Sequence, residues 1–127
     1  MAEVSIQMEK ILLEASKEVR RAASEAQDKT AKEAKQMLRN NSPRHNPHTR
    51  KYAEGWSIKR QRTGTGIPLV ILYNRTNGPL THLLENGHRI INAKGEWGRT
   101  RPIKHVAPVE EWAQDALPNN FAKEFNP

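Results

Sequence analysis

His45 and His48 stand three residues apart, and such a pair is half of a metal site. His82, His88 and His105 are the other histidines from which ligands would be drawn. A zinc site takes three or four ligands, with further partners fixing each ring. The pair lies among prolines in the polar run NNSPRHNPHTR, residues 40–50, with no carboxylate beside it. Solvated loop histidines are therefore expected, and a small nuclease built on His45 and His48 lacks the same support. The chain has no cysteine, which removes disulfides, thiolate metal sites and thiol catalysis. Ser5, Ser16, Ser24, Ser42 and Ser57 sit in no nucleophile-elbow context. Glu110 and Glu111 are adjacent, so on a helix they point to different sides and cannot face each other across a substrate. RTGTG at 62–66 lacks the Lys-Ser/Thr and the helix that a phosphate loop requires. The sequence assigns no catalytic residue, no metal ligand, no cofactor and no small-molecule substrate.

Phosphate contact is the other chemistry on offer. The formal net charge is +7 and the pI about 10.0, but the excess is local. Residues 39–104 carry thirteen Lys/Arg against Glu54, Glu85 and Glu96, whereas residues 105–127 carry Lys123 against four acids. A basic block of this kind points to a polyanion or an acidic protein face. The candidates for lining a DNA channel are Arg39, Arg44, Lys59, Arg60, Arg62, Arg89, Lys94, Arg99, Arg101 and Lys104. Trp97 lies among them and would stack on bases or pack on a neighbour. No helix-turn-helix, zinc-finger or RNP pattern accompanies the block, so any contact is with phosphates, sequence-blind and salt-sensitive. A stand-alone nonspecific nucleic-acid-binding protein is one reading, and a merely solubilising surface is the plain alternative.

The elements that would position these residues follow from periodicity. Apolar residues recur at three- and four-residue steps from Val4 to Leu38 with neither Pro nor Gly between, which predicts one helix over residues 3–39. Its stripe fades from Ile and Leu to Ala, which permits close approach but buries little area. Two placements fit: one end on the domain and the other on a neighbouring subunit, or the whole helix on its own sheet. Asn40, Asn41 and Pro43 end it. Tyr52, Trp56 and Ile58 at even steps predict a strand over 51–61, and IPLVILYNR at 67–75 a central strand with Pro68 at its start. Leu80 to Asn86 is a short helix stopped by Gly87. Ile90 and Ile91 begin a basic hairpin that turns at Gly95 and Gly98. Pro108 opens a C-terminal helix, with Glu110 and Glu111 where the helix dipole favours acids, and Pro118 ends it.

This order gives a single α+β domain over residues 1–127. It comprises the long helix (1–39), a mostly antiparallel sheet with a short helix and a hairpin arm (51–107), and a C-terminal helix (108–127). With 127 residues and 6% aromatics the core is small, as suits a subunit stabilised by neighbours. The first residues contain acids and no long apolar run, so no signal peptide is expected. No segment approaches the roughly 18 apolar residues of a membrane span, so no membrane partner is expected.

Three stretches carry a resemblance. TRKYAEGWSIK, then YNRTNGPLTHLLENGH, then GRTRPIKHVAPVEEW resemble the tail-component family of long-tailed bacteriophages and prophages. The family's Gly-(Lys/Arg)-Tyr-x-x-x-Trp, Leu-Thr-His-Leu-Leu-Glu-x-Gly-His and His-(Ile/Val)-x-Pro-x-x-Glu blocks match Arg50 to Trp56, Leu80 to His88, and His105 to Glu111. The match runs over residues 35–117, and its middle block is the most specific. Arg50 replaces a frequent Gly, and a C-terminal helix broken at Pro118 is short for the family. The resemblance implies a structural, non-enzymatic virion protein of the neck, active in tail completion or head–tail joining. It implies a ring of identical subunits through which double-stranded DNA passes, with other neck and tail proteins as partners. Assembly would take place in the bacterial host's cytoplasm. Subunit-interface candidates are Leu83, Leu84, Ile90, Ile91, Trp97 and Trp112.

Overall fold

A computed structural model of the chain describes residues 3–6, 17–62, 64, 69–92 and 94–125; for 3–6, 90–92, 96, 97 and 125 it describes the backbone alone. Nine elements follow in chain order. Strand β1 is Glu3–Ile6, helix α1 Lys17–Asn41, helix α2 Pro47–Glu54, strand β2 Trp56–Gln61 and strand β3 Leu69–Asn74. Helix α3 is Gly78–Asn86, strand β4 Arg89–Asn92, strand β5 Gly95–Arg99 and helix α4 Ala107–Phe125. The fold is α+β. One antiparallel sheet has the order β1-β3-β2, and β4 pairs with β5 in a separate two-stranded ribbon.

Helix α1, 25 residues and about 37 Å long, lies on one face of the sheet. Ala22, Ala23, Ala26, Ala31, Ala34 and Leu38 are fully buried along it. The cover comes from the chain itself. Helix α4 runs antiparallel beside α1, with Arg21 3.5 Å from Glu124 at one end and Leu38 clustered with Val109 at the other. Small side chains let two helices approach closely, and that approach substitutes for the bulk an alanine stripe lacks. Of the two placements left open by the sequence, the described part of α1 takes the one on its own domain.

β3 is central. Val70, Leu72 and Asn74 face α1, and Leu69, Ile71 and Tyr73 face away. The register sets Trp56 opposite Asn74, Ile58 opposite Leu72 and Arg60 opposite Val70. Trp56, Ile58 and Arg60 therefore share the inner face, and Arg60 reaches Asp28 of α1. Trp56, Tyr52, Leu38, Leu72, Val70 and Val109 form the middle of the core.

Four expectations are corrected. Residues 3–6 are not helical. Val and Ile alternate there as β-branched residues in a strand, and pairing against β3 (Val4 with Leu72, Ile6 with Val70) decides between the two periods. The predicted helical run over 7–16, and Pro68, lie outside the described residues. Residues 47–54 are helix rather than loop and strand. Asn46 caps α2 by a reciprocal box: Thr49 N donates to Asn46 Oδ1 at 3.0 Å and Asn46 N donates to Thr49 Oγ1 at 3.1 Å, with Pro47 in the first turn. Pro118 does not end α4, which continues to Phe125. Leu117 and Phe121 pack on Ala23, and Asn120 donates to Thr30 at 3.0 Å, so contact with α1 holds the helix across the proline. The hairpin predicted to turn at Gly95 and Gly98 is the ribbon Arg89 to Arg99, in which both glycines lie on β5.

Gly87, just past α3, has φ 72° and ψ 168°, a conformation almost reserved for glycine. A Cβ there would lie 2.6 Å from the Thr100 carbonyl oxygen, a backbone atom that cannot swing aside. Gly87→Ala is expected to cost about 2–4 kcal/mol of stability from strain and clash together. Urea denaturation checks this, and an unchanged midpoint contradicts it.

Candidate functional site

Helix α4 opens with His105-Val106-Ala107-Pro108, which contains no Ser, Thr, Asp or Asn to cap it. The cap comes from α3. Glu85 Oε1 accepts from His105 N and Val106 N at 2.9 Å each, and Oε2 accepts from Ala107 N at 2.9 Å. Pro108 has no N–H to satisfy, and Val109 N bonds the Val106 carbonyl at 3.0 Å. One distant carboxylate thus completes the start of the helix and faces the positive end of its dipole. Burial pushes the Glu85 carboxyl up. The three amides and the neighbouring His105 ring outweigh it and hold the carboxyl below its ordinary value. Glu110, one turn into α4, is pushed the other way by its own burial and by the charge on Glu85. The dipole that was expected to favour Glu110 is already served by Glu85.

The carboxylate begins a longer chain of contacts. His105 Nδ1 lies 3.0 Å from Glu85 Oε1 and 2.8 Å from the Ile103 carbonyl oxygen, both acceptors, so this nitrogen carries a proton. His105 Nε2 is 2.7 Å from the Tyr52 hydroxyl, which donates to Thr81 Oγ1 at 2.8 Å. Tyr52, Thr81 and His105 have no exposed surface. Burial raises the Tyr52 phenol well above its ordinary pKa. Around this array, Asn74 Nδ2 donates to the Tyr52 carbonyl at 2.6 Å, and its Oδ1 accepts from Thr76 N and Asn77 N. Trp56 Nε1 donates to Ser42 Oγ at 2.8 Å, tying the end of α1 to the sheet. Acid, imidazole and hydroxyl in line resemble a proton relay in chemistry, but all four side chains are buried. Two surface cavities formed by described residues, one beside Trp112 and one beside Arg75, include none of the four. The arrangement joins elements.

Tyr52 belongs to the first quoted block, Thr81 and Glu85 to the second and His105 to the third. Three stretches some 20 to 30 residues apart therefore meet in one buried junction. Of its members the sequence singled out only His105, and that as a possible metal ligand; Tyr52, Thr81 and Glu85 were not candidates. The available signals were the uncapped entry at 105–108 and Glu85, one of only three acids in the strongly basic segment 39–104.

The predicted interface residues separate. Leu84 and Trp112 are half-buried against this chain's own core, while Leu83 is 40% exposed. The side chains of Ile90, Ile91 and Trp97 lie outside the described residues. The channel candidates also separate. Arg44 bonds the Arg39 carbonyl at 3.1 Å, near the end of α1. Lys59 and Arg60 are on opposite faces of β2, Lys59 standing 5.0 Å over the Tyr73 ring. Arg62 follows that strand, exposed. Arg89, Lys94 and Arg99 are gathered on the ribbon, with Arg101 and Lys104 on its return. His45, His48 and His82 are exposed, His88 is half-buried and bonded to Thr100, and His105 is buried. Among the described residues no three His, Asp or Glu side chains gather as metal ligands, and no helix is long and apolar enough to cross a membrane.

A carboxyl held low in the folded state stabilises the fold above its ordinary pKa, and that stability is lost as pH falls through the folded value. Glu85→Gln is expected to cost about 2–4 kcal/mol at neutral pH, from weakened charge-assisted bonds and a donor left facing donors. It should also flatten the loss of stability on the acid side. Urea titrations between neutral pH and the carboxylate range check both, and a variant as stable and as acid-sensitive as the parent contradicts them. Comparison with known proteins finds no matching family model, no matching curated protein and no matching solved structure.

Proposed function

We propose that this protein is a structural subunit of the head–tail junction of a long-tailed phage or related particle, acting in neck or tail completion. The observation that carries the reading is the buried junction. The three blocks that resemble the tail-component family meet at Tyr52, Thr81, Glu85 and His105, where they brace helices and the base of a ribbon. Residues that recur together in a family for catalysis would be expected to open onto a cavity. Residues that recur together to hold a scaffold are expected to be sealed, as these are.

In this reading the subunits form a ring, and DNA passes through it. Exposed Arg62 and the outward Lys59 are the cations on the sheet side suited to weak contact with passing phosphates. Tight or base-specific contact would arrest the DNA. The virion is the place of action, and the bacterial cytoplasm the place of assembly.

Deleting the gene from the particle-producing genome is expected to leave filled heads and finished tails unjoined. Normally joined particles would overturn the reading. The DNA part has its own measurement. Purified protein should be retained on immobilised DNA at low salt and released at moderate salt, and a failure to bind at low salt removes the channel contact.

A further inference from the structure

Helices α1 and α4 leave a cleft of about 330 Å³ along their seam, lined by Glu33 of α1 and by Trp112, Asp115, Asn119, Asn120 and Lys123 of α4. Both walls are fixed. Trp112 packs against the core, and Asn120 donates to Thr30 of α1 at 3.0 Å. These two residues are eight apart on one helix, so the lining runs roughly 12 Å along α4.

The chemistry of the cleft is one-sided. Among the described residues neither Glu33 nor Asp115 takes part in an ion pair, although Lys123 lines the same cleft. Glu111, exposed one turn before Asp115, adds a third acid to that side of α4. A second, independent observation points the same way. Asn120 is 6% exposed, its Nδ2 is spent on Thr30, and its Oδ1 accepts no hydrogen bond among the described residues. An amide oxygen of a buried side chain is thus left without a donor at a cleft whose carboxylates also only accept.

The occupant must bring donors and positive charge. An apolar segment would cover two carboxylates without pairing them, and a phosphate would be repelled. A bare metal ion lacks its ligands, since among the described residues no three His, Asp or Glu side chains gather. A guanidinium answers every feature. Its planar fork matches carboxylates, its face stacks on an indole, and it is more weakly hydrated than an ammonium.

We propose that the α1–α4 cleft receives an arginine side chain presented by a partner protein. Trp112 supplies the stacking face, Glu33 and Asp115 the flanking charge from the two walls, and Asn120 the further acceptor. Lys123, one turn beyond Asn119, repels a second cation, so the site suits a single arginine rather than a basic run. It requires neither a ring nor DNA and stands apart from the head–tail reading.

The test is an NMR titration of isotope-labelled protein at low salt with the blocked peptide acetyl-Gly-Arg-Gly-amide. The same peptide with citrulline keeps the shape and loses the charge, and with lysine keeps the charge and loses the fork. The arginine peptide is expected to shift the Trp112 indole N–H and the Asn119 and Asn120 side-chain amides. Its half-saturation should come at roughly one tenth of the concentration the citrulline peptide requires, and about one third of that for lysine. Glu33→Gln combined with Asp115→Asn, both at exposed positions, should raise it about tenfold with an unchanged thermal melt. Asp115→Glu should retain binding. Equal half-saturation for arginine and citrulline, no response, or shifts away from the cleft overturn the proposal on the parent protein alone. Equal half-saturation for lysine removes the guanidinium assignment. Movement of the same signals on concentrating the protein without peptide makes a second copy the occupant and overturns the partner assignment.

Discussion

The carboxylate of Glu85 sits 2.9 Å from three consecutive backbone amides at the start of α4. Those amides have no local partner, and buried unpaired donors cost about 1–3 kcal/mol each. A helix of 19 residues therefore begins properly only when α3, twenty residues upstream, is in place. The same carboxylate fixes the His105 ring, the ring meets Tyr52, and Tyr52 belongs to α2. Removing one charge leaves α2, α3 and α4 without their common reference. The two turns of apolar helix in α3 thereby gain a purpose. Leu80 and Leu84 seat the helix on the core, Glu85 projects to the cap, and Gly87 turns the chain outward at once.

That dependence on polar contacts follows from the composition. With few aromatics and an alanine stripe along α1, apolar area alone specifies the arrangement weakly. A buried polar network tolerates little misalignment, because each partner left unsatisfied is penalised in a low-dielectric interior. Tyr52 and Trp56 supply the largest buried side chains, and each also places a polar atom on a partner, Thr81 in one case and Ser42 in the other. The core is thus pinned by hydrogen bonds at its two bulkiest members. Alanine does the complementary work of drawing α1 and α4 together.

Much of the architecture was legible in the sequence, and the misreadings have physical causes. The body of α1, the β2–β3 pair, α3 with its glycine stop, the ribbon and the start of α4 all follow from periodicity and turn chemistry. Helix α2 was missed because Tyr52 and Trp56 are four apart, a spacing that fits a strand face and a helix face equally. The Asn46–Thr49 box that decides the matter sat inside a run of prolines. β1 was lost because four residues cannot separate two periods without knowledge of their partner strand. Pro118 signals a stop only if nothing holds the far side, and Ala23 and Thr30 hold it. The junction escaped because a tertiary cap leaves no mark at the helix it serves except a missing one.

The uneven charge along the chain takes on meaning only with these positions known. The basic residues are not one surface. Sheet pleating separates Lys59 from Arg60, and Asp28 engages Arg60 on the side facing α1. The acids after residue 104 are carried on α4, where Glu85 already occupies the favoured end and further carboxylates gain little there. Asp115 and Glu111 are therefore not explained by the helix they stand on. Asp115 lines a cleft with Glu33 of α1 and the half-buried Trp112, and Glu111 stands one turn before it on α4.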